Sequence, residues 1–291
     1  MQLIDGNKIA AEIYAQLKVQ TAGKSKRLAI VLATDNAAAR TYVGLKQKQA
    51  QELGLTVDIV EFPPTVTADE IFNRINVLAA DTNIDGIMVQ LPLYLSLQSQ
   101  SPYIVNLIPP EKDVDGLTAF NQGSVSQNHR PFYYPATVAA VLECLRAVLA
   151  PTHNLMDTDF RALEPLLRGR QVVIVNHSNL VGKPLAAALT NLNATVTIAH
   201  EFTANLGQLT QTADILISAT GKPGLITADM VKQGSIVIDV TSAKTEQGIR
   251  GDVGITPELQ NKVAYLTPVP GGVGPLTVAC LLRNLVLGYN P

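Results

Sequence analysis

The sequence predicts an α/β protein of two domains, each built on a parallel sheet covered by helices. Three observations carry this. Short apolar runs recur from end to end and are separated by amphipathic stretches of helical length, the alternation expected where buried strands are joined by crossover helices. At 291 residues, 47% hydrophobic and 16% charged, the chain is long enough to build two substantial cores. The pattern breaks midway, at a polar stretch over residues 121–135 and an irregular one over 151–169.

Taken in order, the apolar runs place strands at 28–33, 57–60 and 86–89 in the first half, and at 172–175, 196–199, 215–218, 236–240 and 263–266 in the second. A helix over about 136–149 serves as connector, and a last helix over 275–287 returns to the first domain. The expected division is 1–141 plus 274–291 against 142–273. No internal repeat or low-complexity segment stands out.

Composition excludes several classes. A net charge of -2 and no basic stripe argue against nucleic acid. No apolar run of about 18 residues suits a membrane, and residues 1–10 lack a basic and then apolar leader, so the cytosol is the expected compartment. Cys144 and Cys280 lie far apart in apolar helical patterns and read as small core residues of a reducing environment. Four histidines without ligand spacing give no reason to expect a metal.

The most informative stretch is 267–275: Thr, Pro, Val, Pro, Gly, Gly, Val, Gly, Pro. It reads as a shaped loop. Gly271, Gly272 and Gly274 remove Cβ atoms where backbone approaches a flat ligand or takes positive φ, and Pro268, Pro270 and Pro275 stiffen it; equally, it is a rigid turn closing a domain. The strand at 172–175 runs into Asn176, His177, Ser178, Asn179, Leu180, Val181, Gly182, Lys183 and Pro184 and then an Ala- and Leu-rich helix. That order offers backbone N–H groups to a phosphate. No G-x-G-x-x-G is present, so an ordinary turn capped by Ser178 stands beside the nucleotide reading. A second glycine turn, Gly221 to Gly224, follows the strand at 215–218.

In the first half Tyr42 and Lys46 are four residues apart on an expected helix and share a face. Gln90 emerges at the carboxyl end of a buried strand, where such folds bind ligands. Asp113 and Asp115 flank Val114 after two prolines and, by themselves, read as a solvated turn.

Together these residues resemble the bifunctional methylenetetrahydrofolate dehydrogenase/methenyltetrahydrofolate cyclohydrolase family over nearly the whole length. The resemblance rests on Tyr42 to Lys46, Asp85 to Leu93, Lys112 to Gly116, Ser178 to Pro184, Gly221 to Gly224, Gly251 to Val253 and above all residues 267–277. It implies an N-terminal α/β folate-binding catalytic domain, a C-terminal Rossmann-like nucleotide domain, a cleft between them and a cytoplasmic homodimer. The implied chemistry is oxidation of 5,10-methylenetetrahydrofolate with NAD or NADP and hydrolysis of the methenyl product to 10-formyltetrahydrofolate, which serves purine biosynthesis. Lys46 would be the central catalytic group, positioned by Gln90, with Tyr42 stacking on the folate and Asp115 holding the pterin. Leu91, Pro92, Pro270, Gly271 and Gly272 would complete the substrate site. The cofactor would meet Asn176, His177, Ser178, Val181, Gly182, His200, Glu201, Thr220, Gly221, Thr241, Gly274 and Thr277.

The chain departs from the family pattern in places. Asn176 stands where the nucleotide loop usually begins with Gly, His177 follows it, and Thr241 replaces the Gly after the strand-end Asp-Val. Ala39, Leu117, Thr118 and Tyr134 alter the folate end around its core. A second reading follows, in which the dehydrogenase is lost and a cyclohydrolase or folate-binding protein remains. Glu201, after the strand at 196–199, would repel a 2′-phosphate and accept from a free ribose 2′-OH, which argues for NAD.

Overall fold

The computed structural model describes residues 1–129, 133–246 and 248–289. Among the described residues, eleven strands run in chain order: β1 (Gln2–Leu3), β2 (Arg27–Leu32), β3 (Thr56–Glu61), β4 (Gly86–Val89), β5 (Gln171–Val175), β6 (Thr195–Ala199), β7 (Ile215–Ser218), β8 (Ile236–Asp239), β9 (Ala243–Thr245), β10 (Gly248–Arg250) and β11 (Tyr265–Leu266). The helices are α1 (Gly6–Thr21), α2 (Ala37–Glu52), α3 (Ala68–Ala80), α4 (Ser101–Val105), α5 (Ala119–Ser126), α6 (Ala136–Leu149), α7 (Glu164–Leu167), α8 (Gly182–Asn191), α9 (Leu206–Thr210), α10 (Pro257–Lys262) and α11 (Val273–Leu287).

The chain forms two compact units, Met1–Glu12 with Thr137–Thr277, and Ile13–Ala136 with the residues from Val278 on. The crossings fall within α1, α6 and α11, the last two a few residues from the division expected above. The first twelve residues differ from that expectation. Gln2 N–H donates to Ala264 O at 2.7 Å and Ile4 N–H to Leu266 O at 2.9 Å, so β1 extends the second sheet instead of joining the first domain.

In the unit from Ile13, three parallel strands run in the order β3-β2-β4. Leu28, Ala29, Ile30 and Val31 are fully buried, as a central strand covered on both faces requires. The core gathers Val31, Ile71, Ile75, Ile87 and Ile104. Helix α3 starts on a capping box, in which Thr67 Oγ1 accepts from Glu70 N–H and the Glu70 carboxylate accepts from Thr67 N–H.

The other unit carries six parallel strands in the order β1-β11-β8-β7-β5-β6. From β5 the chain moves out to β6 and then returns to β7 on the opposite side. The order therefore reverses between β5 and β7, and the carboxyl ends there are where an open sheet of this kind holds ligands. Strands β9 and β10 form a separate antiparallel hairpin that the apolar pattern did not announce.

The expected strand at 263–266 shortens to β11, and that at 236–240 ends at Asp239. The polar stretch at 121–135 carries regular structure where it is described, and residues 130–132 lie outside the described part. Its start is α5, capped by Thr118, whose hydroxyl accepts from Asn121 N–H. Helix α11 begins at Val273, so Gly274 and Pro275 sit in its first turn and not in the loop. Proline is tolerated there because first-turn N–H groups have no helical partner.

Candidate active site

In the unit from Ile13, α2 brings Lys46 to the sheet. Asn36 caps the helix through its side chain to Ala39 N–H, and the residues it buries are Ala39, Val43, Lys46 and Ala50. The steps of four, three and four mark one inward stripe, so the lysine stands on the core side with Tyr42 half-buried one turn earlier. Lys46 is only 6% exposed, and its ammonium donates to Gln90 Oε1 at 2.9 Å. Gln90 follows β4. Its own N–H donates to Val31 O at 2.9 Å, and its Nε2 donates to Leu91 O at 2.8 Å. With the amide nitrogen so occupied, the oxygen faces the lysine. Leu91 and Pro92 follow directly, partly buried and exposed respectively.

Asp113 and Asp115 are not a solvated turn. Asp113 is 1% exposed and accepts from Thr118 N–H at 2.8 Å, Leu117 N–H at 3.2 Å and Asn121 Nδ2 at 2.9 Å. Burial pushes its pKa up to about 6 against those hydrogen bonds, with the Asp115 charge adding to the rise. It holds the loop's shape and leaves Asp115 free for other work. Asp115 is fixed by its backbone: its carbonyl accepts from Ala136 N–H at 3.0 Å. The next residue must be glycine. Gly116 has φ +70°, and a Cβ there would lie 2.7 Å from the Tyr134 carbonyl. Burial raises the Asp115 carboxyl, opposed by the Lys46 charge; burial lowers the Lys46 ammonium, opposed by Asp115. Each stabilises the charged form of the other in a site that disfavours charge.

The other unit holds a cavity of about 490 Å³ at the carboxyl ends of β5, β6 and β7. Asn176, His177, Ser178, His200, Glu201 and Thr220 line it, with Lys222 beside them. Val181, Gly182, Gly221, Thr241, Gly274 and Thr277 do not line it. Gly182 opens α8, where a Cβ would come within 2.1 Å of Asn176 O, so the glycine permits strand-end and helix to meet. The Thr241 hydroxyl accepts from Gly221 N–H at 3.1 Å and ties two loops together. Thr277 Oγ1 turns back onto Val273 O within α11.

The glycine loop serves chain packing. Gly271 has φ +105°, its carbonyl accepts from Asn7 N–H at 3.1 Å, and a Cβ on Gly272 would lie 2.6 Å from Pro268 O. A Cβ on Gly6 would fall 1.8 Å from Gly272 O. Of the two readings of residues 267–275, the tight turn accounts for these contacts.

Sequence reasoning assigned no role to Asp239 or Asp252. Asp252, fully buried, accepts from Ser218 Oγ at 2.6 Å, Thr220 N–H at 2.7 Å and Lys222 N–H at 2.9 Å, shaping the loop after β7. Asp239 accepts from Val253 N–H at 2.8 Å and Thr241 N–H at 3.1 Å. A Cβ on Gly251 would lie 2.1 Å from its carboxylate. The signal was present in the run Gly251, Asp252, Val253, whose three residues make room, accept and donate in turn.

Two family models match. Residues 4–115 fit the tetrahydrofolate dehydrogenase/cyclohydrolase catalytic domain, and residues 158–290 fit the NAD(P)-binding domain of the same enzymes. The chain belongs to the tetrahydrofolate dehydrogenase/cyclohydrolase family. Among its relatives is the bifunctional protein FolD of Pelagibacter ubique, 39% identical over 98% of this chain and 97% of that protein. The bifunctional FolD methylenetetrahydrofolate dehydrogenase/cyclohydrolase of Campylobacter jejuni has a solved structure with a TM-score of 0.87 at 37% identity, covering 99% of this chain and 98% of that one. The Trypanosoma brucei enzyme, solved with NADP and an inhibitor, gives 0.85 at 32% identity, with 97% and 95% covered.

In this member of the family, Lys46 and Gln90 belong to the stretch matched by the catalytic model, and the 490 Å³ cavity to the stretch matched by the NAD(P)-binding model. The cavity suits a dinucleotide. Val175, Leu206 and Leu225 give it apolar walls, and a few polar groups converge on it, the composition expected of a cofactor site.

Proposed function

We propose that this chain oxidises 5,10-methylenetetrahydrofolate to the 5,10-methenyl form with a nicotinamide dinucleotide and hydrolyses that product to 10-formyltetrahydrofolate. The observation that carries this reading is the buried Lys46, hydrogen-bonded to Gln90 and balanced by Asp115, in a chain of this family. In this reading Tyr42 stacks on the pterin, Asp115 accepts its N–H groups, and Leu91 and Pro92 complete the substrate site within the unit that carries Lys46. A flat heterocycle rich in donors suits an aromatic platform and a carboxylate.

When bound, the nicotinamide supplies the hydride acceptor. Lys46 supplies proton transfer. Desolvation makes its neutral form accessible, so it takes a proton from the water that adds to the methenyl carbon. It returns that proton to the ring nitrogen as the carbon–nitrogen bond breaks, while the remaining hydroxyl proton leaves to solvent as the C=O forms, so the formyl group stays on N10 and one proton is released overall. Such proton transfer contributes roughly two to four decades in rate. Gln90 keeps the amine aimed.

The preferred dinucleotide in this reading is NAD. Glu201 lines the cavity, and its carboxylate is held below the usual range by a hydrogen bond from backbone N–H, with His177 and His200 adding to that. His177 Nδ1 lies 3.7 Å from Glu201 Oε2, so the nearest imidazole is already engaged with a carboxylate. An ionised Glu201 suits a ribose 2′-OH and repels a 2′-phosphate. The reading extends to a cytosolic homodimer.

The test is absorbance of methenyltetrahydrofolate formation, with NAD and NADP in parallel. Oxidation is expected with NAD the better substrate, and Lys46→Ala is expected to lose hydrolysis of supplied methenyltetrahydrofolate, the step in which the lysine moves the proton. Glu201→Arg is expected to shift the preference toward NADP, and an unchanged preference would remove Glu201 from the argument. No oxidation with either nucleotide, together with hydrolysis of supplied methenyltetrahydrofolate, would leave the cyclohydrolase alone.

A further inference from the structure

We propose that the Asn176 carboxamide fills the donor cradle of the β5–α8 turn in place of the cofactor's diphosphate, shaping the turn at the expense of direct diphosphate contact. This rests on the dinucleotide reading above. Asn176 Oδ1 accepts from Ser178 N–H at 2.8 Å, Ser178 Oγ at 2.7 Å and Gly182 N–H at 3.0 Å, while Nδ2 donates to Ala219 O at 2.6 Å. One side chain thereby joins the ends of β5 and β7 to the start of α8.

The donors it uses are the ones that matter. Gly182 is the first residue of α8, and first-turn N–H groups, unpaired within the helix, are what ordinarily meets an anion. The neighbouring groups are also occupied: Val181 N–H donates to Ser178 Oγ at 3.2 Å and Lys183 N–H to Ser178 O at 3.1 Å. A carbonyl oxygen with three donors has no lone pair left for a fourth. The turn is therefore shaped before any ligand arrives, and a diphosphate meets the helix through its dipole and not through Gly182 N–H. Lys222, lining the same cavity, is the cation positioned to meet it directly.

The experiment is calorimetric binding of NAD and of ADP-ribose to wild type, Asn176→Gly and Asn176→Asp, with melting temperatures recorded with and without ligand. Asn176→Gly frees the N–H groups of Ser178 and Gly182. Its ligand-free melting temperature is expected to fall, and its Kd for both probes to tighten by roughly tenfold, as a hydrogen bond to a charged group allows. Asn176→Asp keeps an acceptor at Oδ1 but sets a carboxylate against Ala219 O and the incoming diphosphate, so weaker binding is expected. Should Asn176→Gly fail to fold, Asn176→Ala loses the same hydrogen bonds without glycine's freedom, and tighter binding is expected of it too. Binding by wild type that is unchanged or weakened in the Gly and Ala variants would overturn this role alone. Failure of wild type and every variant to bind either probe would overturn the dinucleotide reading and this role with it.

Discussion

Lys46 owes its chemistry to burial. An ammonium 6% exposed is held below the ordinary lysine range by desolvation, and the Asp115 charge limits the fall. The sign of a perturbation follows. Asp115→Asn removes the group that favours the protonated lysine, so the Lys46 pKa drops further. If the neutral amine is the working form, kcat/KM for the hydrolysis rises with pH through the Lys46 pKa, and in Asp115→Asn that rise is expected at lower pH, whatever the loss in substrate affinity. A pH–rate profile from pH 6 to 10 checks it, and a limb that stays in place would detach Asp115 from Lys46. The sequence showed Tyr42, Lys46 and Gln90 as candidates because each is a polar group beside an apolar pattern. It showed nothing of the hydrogen bond from Gln90 Nε2 to Leu91 O that turns the amide, since that depends on backbone geometry.

At the scale of elements, loops that look irregular are tied by single buried polar side chains. Asp252 gathers one hydroxyl and two N–H groups from residues 218–222. We predict that Asp252→Ala destabilises the protein by about 2 kcal/mol, because a buried hydroxyl and two partly buried N–H groups lose their acceptor. Chemical denaturation measures this, and a loss under 1 kcal/mol would show that water replaces the carboxylate. Arg146, on α6, does the same for the stretch at 151–169. Its guanidinium donates to Asp157 O and Asp159 O at 2.8 Å each, stacks 4.2 Å from the Phe160 ring centroid and pairs with buried Glu143 at 3.4 Å. Helix periodicity announced α6 but could not tell which of its residues reach across to a loop. Gly182 shows the limit in another form. Gly182→Ala is expected to abolish dinucleotide binding, because its Cβ would meet the Asn176 carbonyl at 2.1 Å and displace either the turn or the helix; calorimetry with NAD reads the outcome.

At the scale of the whole molecule, two buried carboxyls set part of the pH dependence of stability. Asp113 and Asp239 are pushed up to about 6 in the fold, both chiefly by burial, from the ordinary 3.8. The folded chain therefore binds more protons than the unfolded one between those values, and their contribution to stability falls as pH rises from about 4 through 6 and is level above about 7. In Asp239→Asn that contribution disappears. The advantage of wild type over the variant is expected to be larger at pH 4 than at pH 6 by roughly 2 kcal/mol and to level off above about pH 7. Denaturant titrations at pH 4, 5, 6 and 7 test it, and a constant gap would mean that Asp239 titrates normally. The two parallel sheets were legible because strands buried on both faces and amphipathic helices write their periods directly into the chain. The position of Gln90, the strand–turn–helix at 172–184 and the family itself were legible as well, since they depend on local pattern and motif order. Only the tertiary structure decided that β1 joins β11, that β9 and β10 pair, that Asp113 is an anchor while Asp115 is left available, and that Asn176 fills its own turn. Each of these depends on a pairing or hydrogen bond between residues whose spacing carries no period, and backbone and side-chain polar groups settle it only once the chain around them is in place.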